Sequence, residues 1–502
     1  MVRHALAFLC AALATPAQAQ DNLDVAAAGR SVVRVVVVSM EDGEPANIGT
    51  GSGVAIAPDK ILTNAHVVAD AAEGEAIIGV VPSEGRKRFT GRLIAYQPSK
   101  DLALIQLLDG RVEPATLATG PVPDGAAVAA LGYPFSVDRA RELSAEGFVT
   151  PQAPVKSWGR VSGGQSSQRF DTVLHDASIG RGNSGGPLVD SCGRVVGVNS
   201  FVSNSEGVDA VFAFAVSIRE VIPFLRSAGI RPQTNGLSCR TGAEQAAIDE
   251  RLEKGEAARA EAERNRAALS QERLATRRQQ LRDQVLADRD EGIAVAGLLL
   301  VFGALLANGA MVLFAGHHHR PALAAGLAGL LLIAGAPIAW VARPDLDTVD
   351  LRLAAERPKI RAAALADGRL TCRPDLERSR ITVSEPREVT LDWSGQGCEG
   401  ARTQYAEADG RFERTDVAPG GAAAALRRYD PATGRLTVER YFLAADTLAA
   451  ARALQGRYAA RSCDTEGARA TNTLNAALRD LLPPAPNERL VYMCAPGQNG
   501  AR

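Results

Sequence analysis

The sequence lacks an excess of charge of either sign. Its 502 residues carry 56 lysines and arginines against 57 aspartates and glutamates, which gives a formal net charge of −1. It also lacks a long run of basic residues. Proteins that bind nucleic acid through the phosphate backbone need clustered positive charge, so nothing in the composition indicates a nucleic-acid partner. The length predicts more than one domain.

Histidine is scarce, with six residues in the whole chain. One of them, His4, lies close to the start, and three adjacent ones, His317–His319, lie in a short link between two apolar runs. Three neighbouring imidazoles on a regular element cannot all face one ion, so we interpret them as a polar turn at a membrane surface. The sequence predicts no metal and no cofactor, and it leaves His66 and His175 as the histidines open to other roles.

Closely spaced cysteine pairs, which are typical of zinc sites, are absent. Apart from Cys10, six cysteines remain, and an even number in an exported chain predicts disulfides. Four of them fall in the last third, which suggests two bridges there, and a Cys192–Cys239 bridge is one of the fifteen pairings open to the six. The six are Cys192, Cys239, Cys372, Cys398, Cys463 and Cys494.

The first 19 residues have the features of a secretory signal peptide. A basic start precedes an apolar core over 5–13, and Ala17-Gln18-Ala19 has the small-x-small pattern of a cleavage site. The alternative is a short buried helix. We expect residues 1–19 to be removed and the mature protein to begin at Gln20 outside the cytoplasm.

Residues 30–230 consist of short β-branched or apolar runs separated by Gly, Pro, Asn and Asp. This pattern predicts an all-β barrel or sandwich domain. Residues 243–290 are instead rich in Ala, Glu, Arg, Gln and Leu and predict a long helix. That helix is either a coiled coil, which would make the chain a homo-oligomer, or a solvated spacer.

Two apolar runs without charged residues follow, over 292–315 and 322–342. Each is long enough to cross a bilayer, so residues 292–342 predict a transmembrane hairpin, with a buried hairpin of a soluble domain as the alternative. With the signal peptide, this topology places Arg320 inside and both flanking regions outside. Strand-like runs, turns and one helical run predict that residues 350–502 form a small, disulfide-linked α+β domain.

The segment GRGNSGGPLVD, residues 180–190, places Ser184 among glycines. A serine nucleophile needs a base, and the base needs an orienting carboxylate. His175 lies nine residues before Ser184 in a strand-like run, which is a poor position for the base. His66 follows an apolar strand, and Asp101 begins one. We therefore predict His66 as the base, Asp101 as the orienting carboxylate and Ser184 as the nucleophile.

Three motifs resemble those of the trypsin-like serine proteases of the bacterial HtrA/DegP type: GTGSGVAIAPDKILTNAHVV, DLALIQL and GNSGGPLV. The order His66, Asp101, Ser184 matches, with spacings of 35 and 83 residues, and the resemblance covers about residues 30–225. It implies a double β-barrel, an acyl-enzyme mechanism and a periplasmic site at the bacterial inner membrane. It also implies an oxyanion hole made by the backbone of Gly182, Asn183 and Ser184.

Departures from the trypsin pattern refine this expectation. Asn183 replaces the aspartate that receives the new N-terminus when trypsin is activated, and Ser178 replaces the aspartate that selects Arg or Lys. Val202 and Ala213 stand where related enzymes have glycine, which narrows the pocket and favours a small or medium apolar side chain before the cleaved bond. The remaining residues expected in the pocket are Ser200 and Phe201.

The sequence has no recognisable PDZ domain, so regulation by such domains is not expected. We predict a membrane-anchored extracytoplasmic serine endopeptidase that acts on protein or peptide substrates. Two alternatives stay open. One is a latent or inactive protease-fold protein that senses or binds a partner at the membrane, and the other is a structural membrane scaffold.

Overall fold

A computed structural model describes residues 16–496 of the chain, except for 42–43, 75, 121, 167–169, 204–210, 316, 343–344, 346–348, 351–352, 354–367, 395–396, 400–402, 409, 419–420 and 459–462. The chain forms two compact units. The first comprises Met1–Glu250 and Ala363–Arg502, and the second comprises Arg251–Ala362. Most of the predicted signal peptide lies outside the described residues.

The first barrel is a closed ring of six strands in the order β1-β2-β3-β6-β5-β4. Alternate side chains of its first strand, Val33, Val35 and Val37, pack into the barrel core, as the period of two along a strand requires. Helix α1, Pro16–Ala28, precedes the barrel, and α2, Ala69–Ala72, follows its third strand. The strands are β1 Val32–Glu41, β2 Glu44–Ala57, β3 Lys60–Thr63, β4 Ala76–Pro82, β5 Phe89–Gln97 and β6 Leu102–Leu107.

The second barrel is an eight-stranded sheet in the order β11-β8-β9-β10-β13-β12-β7-β14, and pairing of β11 with β12 closes six of its strands into a ring. The two rings confirm the predicted double barrel. Its strands are β7 Leu117–Ala118, β8 Ala127–Gly132, β9 Val155–Ser166, β10 Asp171–His175, β11 Pro187–Asp190, β12 Val195–Val202, β13 Ala213–Ser217 and β14 Thr234–Asn235. Its helices are α3 Phe135–Ala140, α4 Ala145–Phe148 and α5 Ile218–Ser227.

Two long helices follow, α6 over Gly242–Ala315 with 74 residues and α7 over His319–Val341 with 23. The charged stretch and the first apolar run, which the sequence divides near residue 291, are thus one continuous helix. The helices approach closely at Gly303 and Gly329, where an added Cβ on either residue would come within 3 Å of the other's carbonyl oxygen. Both contain a segment that could cross a membrane by length and composition, so the bilayer assignment stays a prediction.

The C-terminal domain is a nine-stranded sheet in the order β18-β17-β16-β15-β23-β22-β21-β20-β19. Two helices, α8 Ala445–Tyr458 and α9 Thr465–Arg479, pack on it. The one helical run predicted within residues 350–502 corresponds to α9, whereas α8 was not anticipated. The strands are β15 Gly368–Pro374, β16 Val389–Ser394, β17 Cys398–Glu399, β18 Thr403–Gln404, β19 Ala406–Ala408, β20 Arg411–Val417, β21 Ala423–Asp430, β22 Arg435–Phe442 and β23 Glu488–Pro496.

Three disulfides join the six cysteines that follow residue 19. Cys192–Cys239 ties the turn between β11 and β12 to the segment before α6. The other two, Cys372–Cys494 and Cys398–Cys463, lie within the C-terminal domain. The expectation of two bridges in the last third of the chain is therefore confirmed.

Candidate active site

His66 and Asp101 lie side by side at the open end of the first barrel. His66 begins a 3-10 turn shortly after β3, and Asp101 follows another 3-10 turn and leads into β6. His66 Nδ1 lies 2.9 Å from Asp101 Oδ1 and 3.0 Å from Oδ2, and the His66 backbone N–H donates to Oδ1 at 3.2 Å. A carboxylate that accepts from Nδ1–H leaves Nε2 as the unprotonated nitrogen of the ring, which is the arrangement a general base requires.

Two further side chains fix Asp101 in this position. Asn64 Nδ2 donates to the Asp101 backbone oxygen at 2.8 Å, and the Ser200 hydroxyl donates to Asp101 Oδ2. Asp101 itself has a left-handed backbone with φ of 52°. A non-glycine residue adopts this conformation at some cost, so the surrounding contacts must hold it. Ser200, expected from the sequence in the substrate pocket, thus also orients the carboxylate.

Ser184 lies in the turn between β10 and β11 of the second barrel. Its Oγ donates to the backbone oxygen of Ser200 at 3.0 Å. Among the contacts of the described residues, no hydrogen bond joins Ser184 Oγ to His66. Because Ser200 also donates to Asp101, these contacts bring the three predicted residues together from both barrels. The serine hydroxyl is turned toward the neighbouring strand β12.

The turn before Ser184 depends on Gly182 and on Ser52. Gly182 has φ of 93°, and a Cβ there would lie 2.2 Å from the Tyr133 backbone oxygen, so only glycine fits. The buried Ser52 donates through Oγ to the Gly182 oxygen at 2.6 Å and accepts from the Tyr133 N–H at 3.0 Å. Sequence reasoning missed this role, although Ser52 lies within the first of the three motifs.

Two backbone N–H groups of this turn face no acceptor among the described residues, those of Gly182 and Ser184. The Asn183 N–H donates to the Gly180 oxygen at 3.0 Å, and the Gly186 N–H donates back to the Asn183 oxygen at 3.0 Å. The free donors at Gly182 and Ser184 are suited to binding an oxyanion, whereas the N–H of Asn183 is already used inside the turn.

His175 lies in a different environment from His66. It is fully buried in β10, opposite Ala213 of β13. Burial lowers the pKa of its imidazole to about 4, and the nearby Asn199 side chain and Asp176 carboxylate only partly oppose this effect. His175 is thus a neutral interior residue of the second barrel, and its exclusion as the base stays a prediction.

Of the residues predicted to line the substrate pocket, Ser200, Phe201 and Val202 lie at the C-terminal end of β12, and Ala213 begins β13. Val202 pairs with Ala213 across β12 and β13, and the Phe201 ring stacks on Phe214 with centroids 4.8 Å apart. Ser178 is exposed in the segment that leads into the nucleophile turn. These contacts join pocket residues to other protein residues, so contact of the pocket with a substrate stays a prediction.

Residues 51–198 match the model of the trypsin-like peptidase domain family. Serine protease Rv3671c of Mycobacterium tuberculosis is 32% identical over 184 residues, which are 36% of this chain and 42% of that protein. Periplasmic serine endoprotease DegP of Escherichia coli is 32% identical over 175 residues, 33% of each chain. The match thus spans less than half the length of these relatives. The solved active form of the Mycobacterium protease is 27% identical and covers 44% of this chain and 88% of that one, with a TM-score of 0.34.

Proposed function

Residues 51–198 are a trypsin-like peptidase domain related to the HtrA/DegP-type serine proteases, and from this premise we propose that the chain is a serine endopeptidase. The observation that carries the proposal is the His66–Asp101 hydrogen bond beside the glycine-rich turn of Ser184. These groups come from two barrels and are far apart in sequence. A glycine turn with only a structural role would not require a histidine and an aspartate from the other barrel to lie beside it.

In the proposed mechanism, Ser184 Oγ attacks the carbonyl carbon of the substrate while His66 Nε2 takes its proton. Asp101 stabilises the imidazolium that forms, and the Gly182 and Ser184 N–H groups bind the oxyanion. His66 then gives the proton to the leaving amine, which departs as the acyl-enzyme forms. Water, deprotonated by His66, attacks the acyl carbon, and His66 returns the proton to Ser184 Oγ as the carboxylic acid product leaves.

We further propose that the side chain before the cleaved bond is small or medium in size and apolar. Val202 and Ala213 lie opposite each other on β12 and β13, and both replace glycines of related enzymes, so they reduce the space for a large side chain. A cleavage profile dominated by Arg, Lys or Phe at this position would contradict the proposal.

The proposed location is the bacterial inner membrane, with the peptidase and C-terminal domains in the periplasm. The DegP relative is named a periplasmic endoprotease, and the apolar parts of α6 and α7 are long enough to span a bilayer. We expect the full-length protein to stay in membranes washed with alkaline carbonate, and a variant without residues 292–342 to be released. Release of the full-length protein would count against anchoring.

One observation favours a second function, that of a latent protease whose C-terminal domain recognises a partner. Ser184 Oγ donates to the Ser200 backbone oxygen and not to His66. In that state the serine is not activated for attack. A partner that turned the hydroxyl toward His66 would convert the resting form into an active one.

Labelling with a fluorophosphonate, which reacts with activated serines, separates these functions. We expect the full-length protein to be labelled and the Ser184→Ala and His66→Ala variants to lose labelling by several orders of magnitude. The matched control is Ser162→Ala, at an exposed serine of β9, which should be labelled like wild type. A folded wild type that takes no label would favour the latent form, and labelling that survives Ser184→Ala would refute the assigned nucleophile.

A further inference from the structure

A cavity of about 600 Å³ lies inside the first compact unit. The segment after α1, the peptidase domain and the C-terminal domain all contribute to its walls. Its volume lies within the range of small-molecule sites, and it is distinct from the cleft that contains Ser184. The lining residues that matter here are Arg30, Glu113, Thr382, Ser384 and Arg440.

Arg30 brings an uncompensated positive charge to this cavity. Burial lowers the pKa of its guanidinium, and Glu84 and Glu113 oppose that effect only by longer-range attraction. In the part of the chain that the structure describes, the Arg30 side chain has no ion pair and no hydrogen bond. Charged groups that lose water without gaining a partner are costly, so a ligand that brings a negative group to Arg30 would be bound favourably.

Glu113 is the negative counterpart on the wall of the same cavity. The residue is exposed to solvent, although partial burial of its carboxyl raises the pKa, and attraction to Arg30 and Arg440 opposes that rise. The described residues offer its carboxylate no ion pair within 4 Å. Arg30 and Glu113 therefore attract each other electrostatically. Within the described residues, neither side chain forms a direct ion pair.

Arg440 differs from Arg30 because its charge is already paired. Its Nη1 lies 2.8 Å from Glu488 Oε2 and also donates to Ser384 Oγ. Glu488 is fully buried and accepts backbone N–H groups from Thr382 and Ser384 as well, at 3.0 and 2.7 Å. The polar groups on this side of the cavity are already hydrogen-bonded to one another. The charged groups that can still pair with a ligand are those of Arg30 and Glu113.

We propose that the cavity binds a small zwitterion, a free amino acid or a short peptide, with its carboxylate on Arg30 and its ammonium group on Glu113. A guanidinium binds a carboxylate through two parallel hydrogen bonds, and a carboxylate is the matching acceptor for an ammonium group. This ligand brings a partner to the half-buried Arg30 and to the exposed Glu113 at once, which an anion or a cation alone does not do. The site is additional to the proposed peptidase activity.

Calorimetric titration of the full-length Ser184→Ala protein tests this proposal without cleavage of the probes. The probes are alanine, trialanine, N-acetyl-trialanine and trialanine amide. We expect the unblocked probes to bind and either blocked peptide to bind at least about tenfold more weakly, because each block removes one charge. The comparison of alanine with trialanine distinguishes the free amino acid from the peptide.

Variants in the same background locate the binding. Arg30→Gln and Glu113→Gln should each weaken binding of the preferred probe by about tenfold or more. Arg30→Lys keeps the charge but cannot form the bidentate contact, so its affinity for the preferred probe should lie between those of wild type and Arg30→Gln. The matched control is Arg111→Gln, at an exposed arginine near Glu113 that does not line the cavity, and it should bind like wild type. Thermal unfolding without probe checks that each variant is folded.

Two results would overturn the proposal. One is the absence of binding by any unblocked probe up to about 10 mM. The other is binding that persists in the Arg30 and Glu113 variants, which would place the peptide elsewhere, for example in the cleft. Neither result bears on fluorophosphonate labelling of wild type, so a failure of this proposal and a failure of the peptidase assignment are distinguishable.

Discussion

Two regions of the first compact unit bring polar groups together from distant parts of the chain, but they do so differently. In the cleft, the His66 side chain is 52% exposed, and Asp101 beside it is 16% exposed. At the junction with the C-terminal domain, Arg380 and Asp24 form an ion pair at 2.5 Å, and each side chain is 1% exposed. The cleft is open to a substrate, whereas the junction excludes water from both charges.

The junction also completes the hydrogen bonding of its charges, which the cleft does not. Arg380 donates to the backbone oxygens of Asn487 at 2.7 Å and of Arg240 at 3.0 Å, and Asn487 donates to Asp24 at 2.8 Å. In the cleft, the outer nitrogen of His66 has no hydrogen-bond partner among the described residues, and the Ser184 hydroxyl contacts only the Ser200 backbone oxygen. Polar side chains therefore serve the proposed chemistry in one place and hold a domain in the other, and substitutions should separate the two roles.

The largest effect should come from the cleft. Asp101→Asn keeps the size of the side chain but removes the carboxylate that holds the His66 tautomer, and we expect kcat to fall by about 10⁴-fold. Because the site is open to solvent, the thermal unfolding temperature should stay close to that of wild type. Kinetics and thermal unfolding of the same preparations measure both. If activity fell only in proportion to the loss of folded protein, Asp101 would act on stability, as the junction residues do, and the prediction would be wrong.

At the junction the expected effect is on stability. Arg380→Met removes the guanidinium that forms the ion pair with the buried Asp24 carboxylate, which should lower the free energy of unfolding of the C-terminal domain by about 3–5 kcal/mol. Fluorescence of Trp393, which is buried in that domain, follows its unfolding in urea. Fluorophosphonate labelling of the folded variant should match wild type.

The double variant Asp24→Leu with Arg380→Met is the control for this prediction. It removes both charges, so it should be less destabilised than Arg380→Met alone. If the two variants are equally unstable, the loss comes from packing and not from the broken ion pair.

The sequence predicted the cleft far better than the junction, for a physical reason. Glycines around Ser184, a histidine after a strand and an aspartate before one are local patterns that the required chemistry restricts to few residue types. The partners at the junction, Asp24 and Arg380, are 356 residues apart, and no local pattern marks either of them. Helix α8 was missed for a related reason. Its apolar residues are not concentrated on one face, and its burial depends on packing against the sheet.

A smaller effect concerns a buried group that belongs to neither network, His175. The folded state lowers its pKa to about 4, while the unfolded chain takes up a proton near 6.5. Its contribution is therefore fully present above about pH 6.5 and is lost as the pH falls toward 4. The shift corresponds to about 3 kcal/mol.

The variant His175→Leu tests this contribution. Between pH 7 and pH 4, its free energy of unfolding should fall by about 3 kcal/mol less than that of wild type. Urea unfolding of the Ser184→Ala background at both pH values measures this without self-cleavage. An equal acid-induced loss in the two proteins would show that His175 does not titrate in this way.

The smallest effect should be one of selectivity within the cleft. Val202 stands opposite Ala213 across β12 and β13, and Val202→Gly should admit larger side chains before the cleaved bond. A few methylenes in a pocket change discrimination by about 1–3 kcal/mol, so the ratio of kcat/KM for a Phe over an Ala substrate should rise by about 10- to 200-fold. The matched control is Val211→Gly, at another exposed valine, which should leave the ratio unchanged. Since Val202 takes no part in proton transfer, kcat/KM for the Ala substrate should change far less than in Asp101→Asn. A comparable fall for both substrates would mean that Val202 supports the catalytic groups, as Ser52 and Ser200 do, and does not select the substrate.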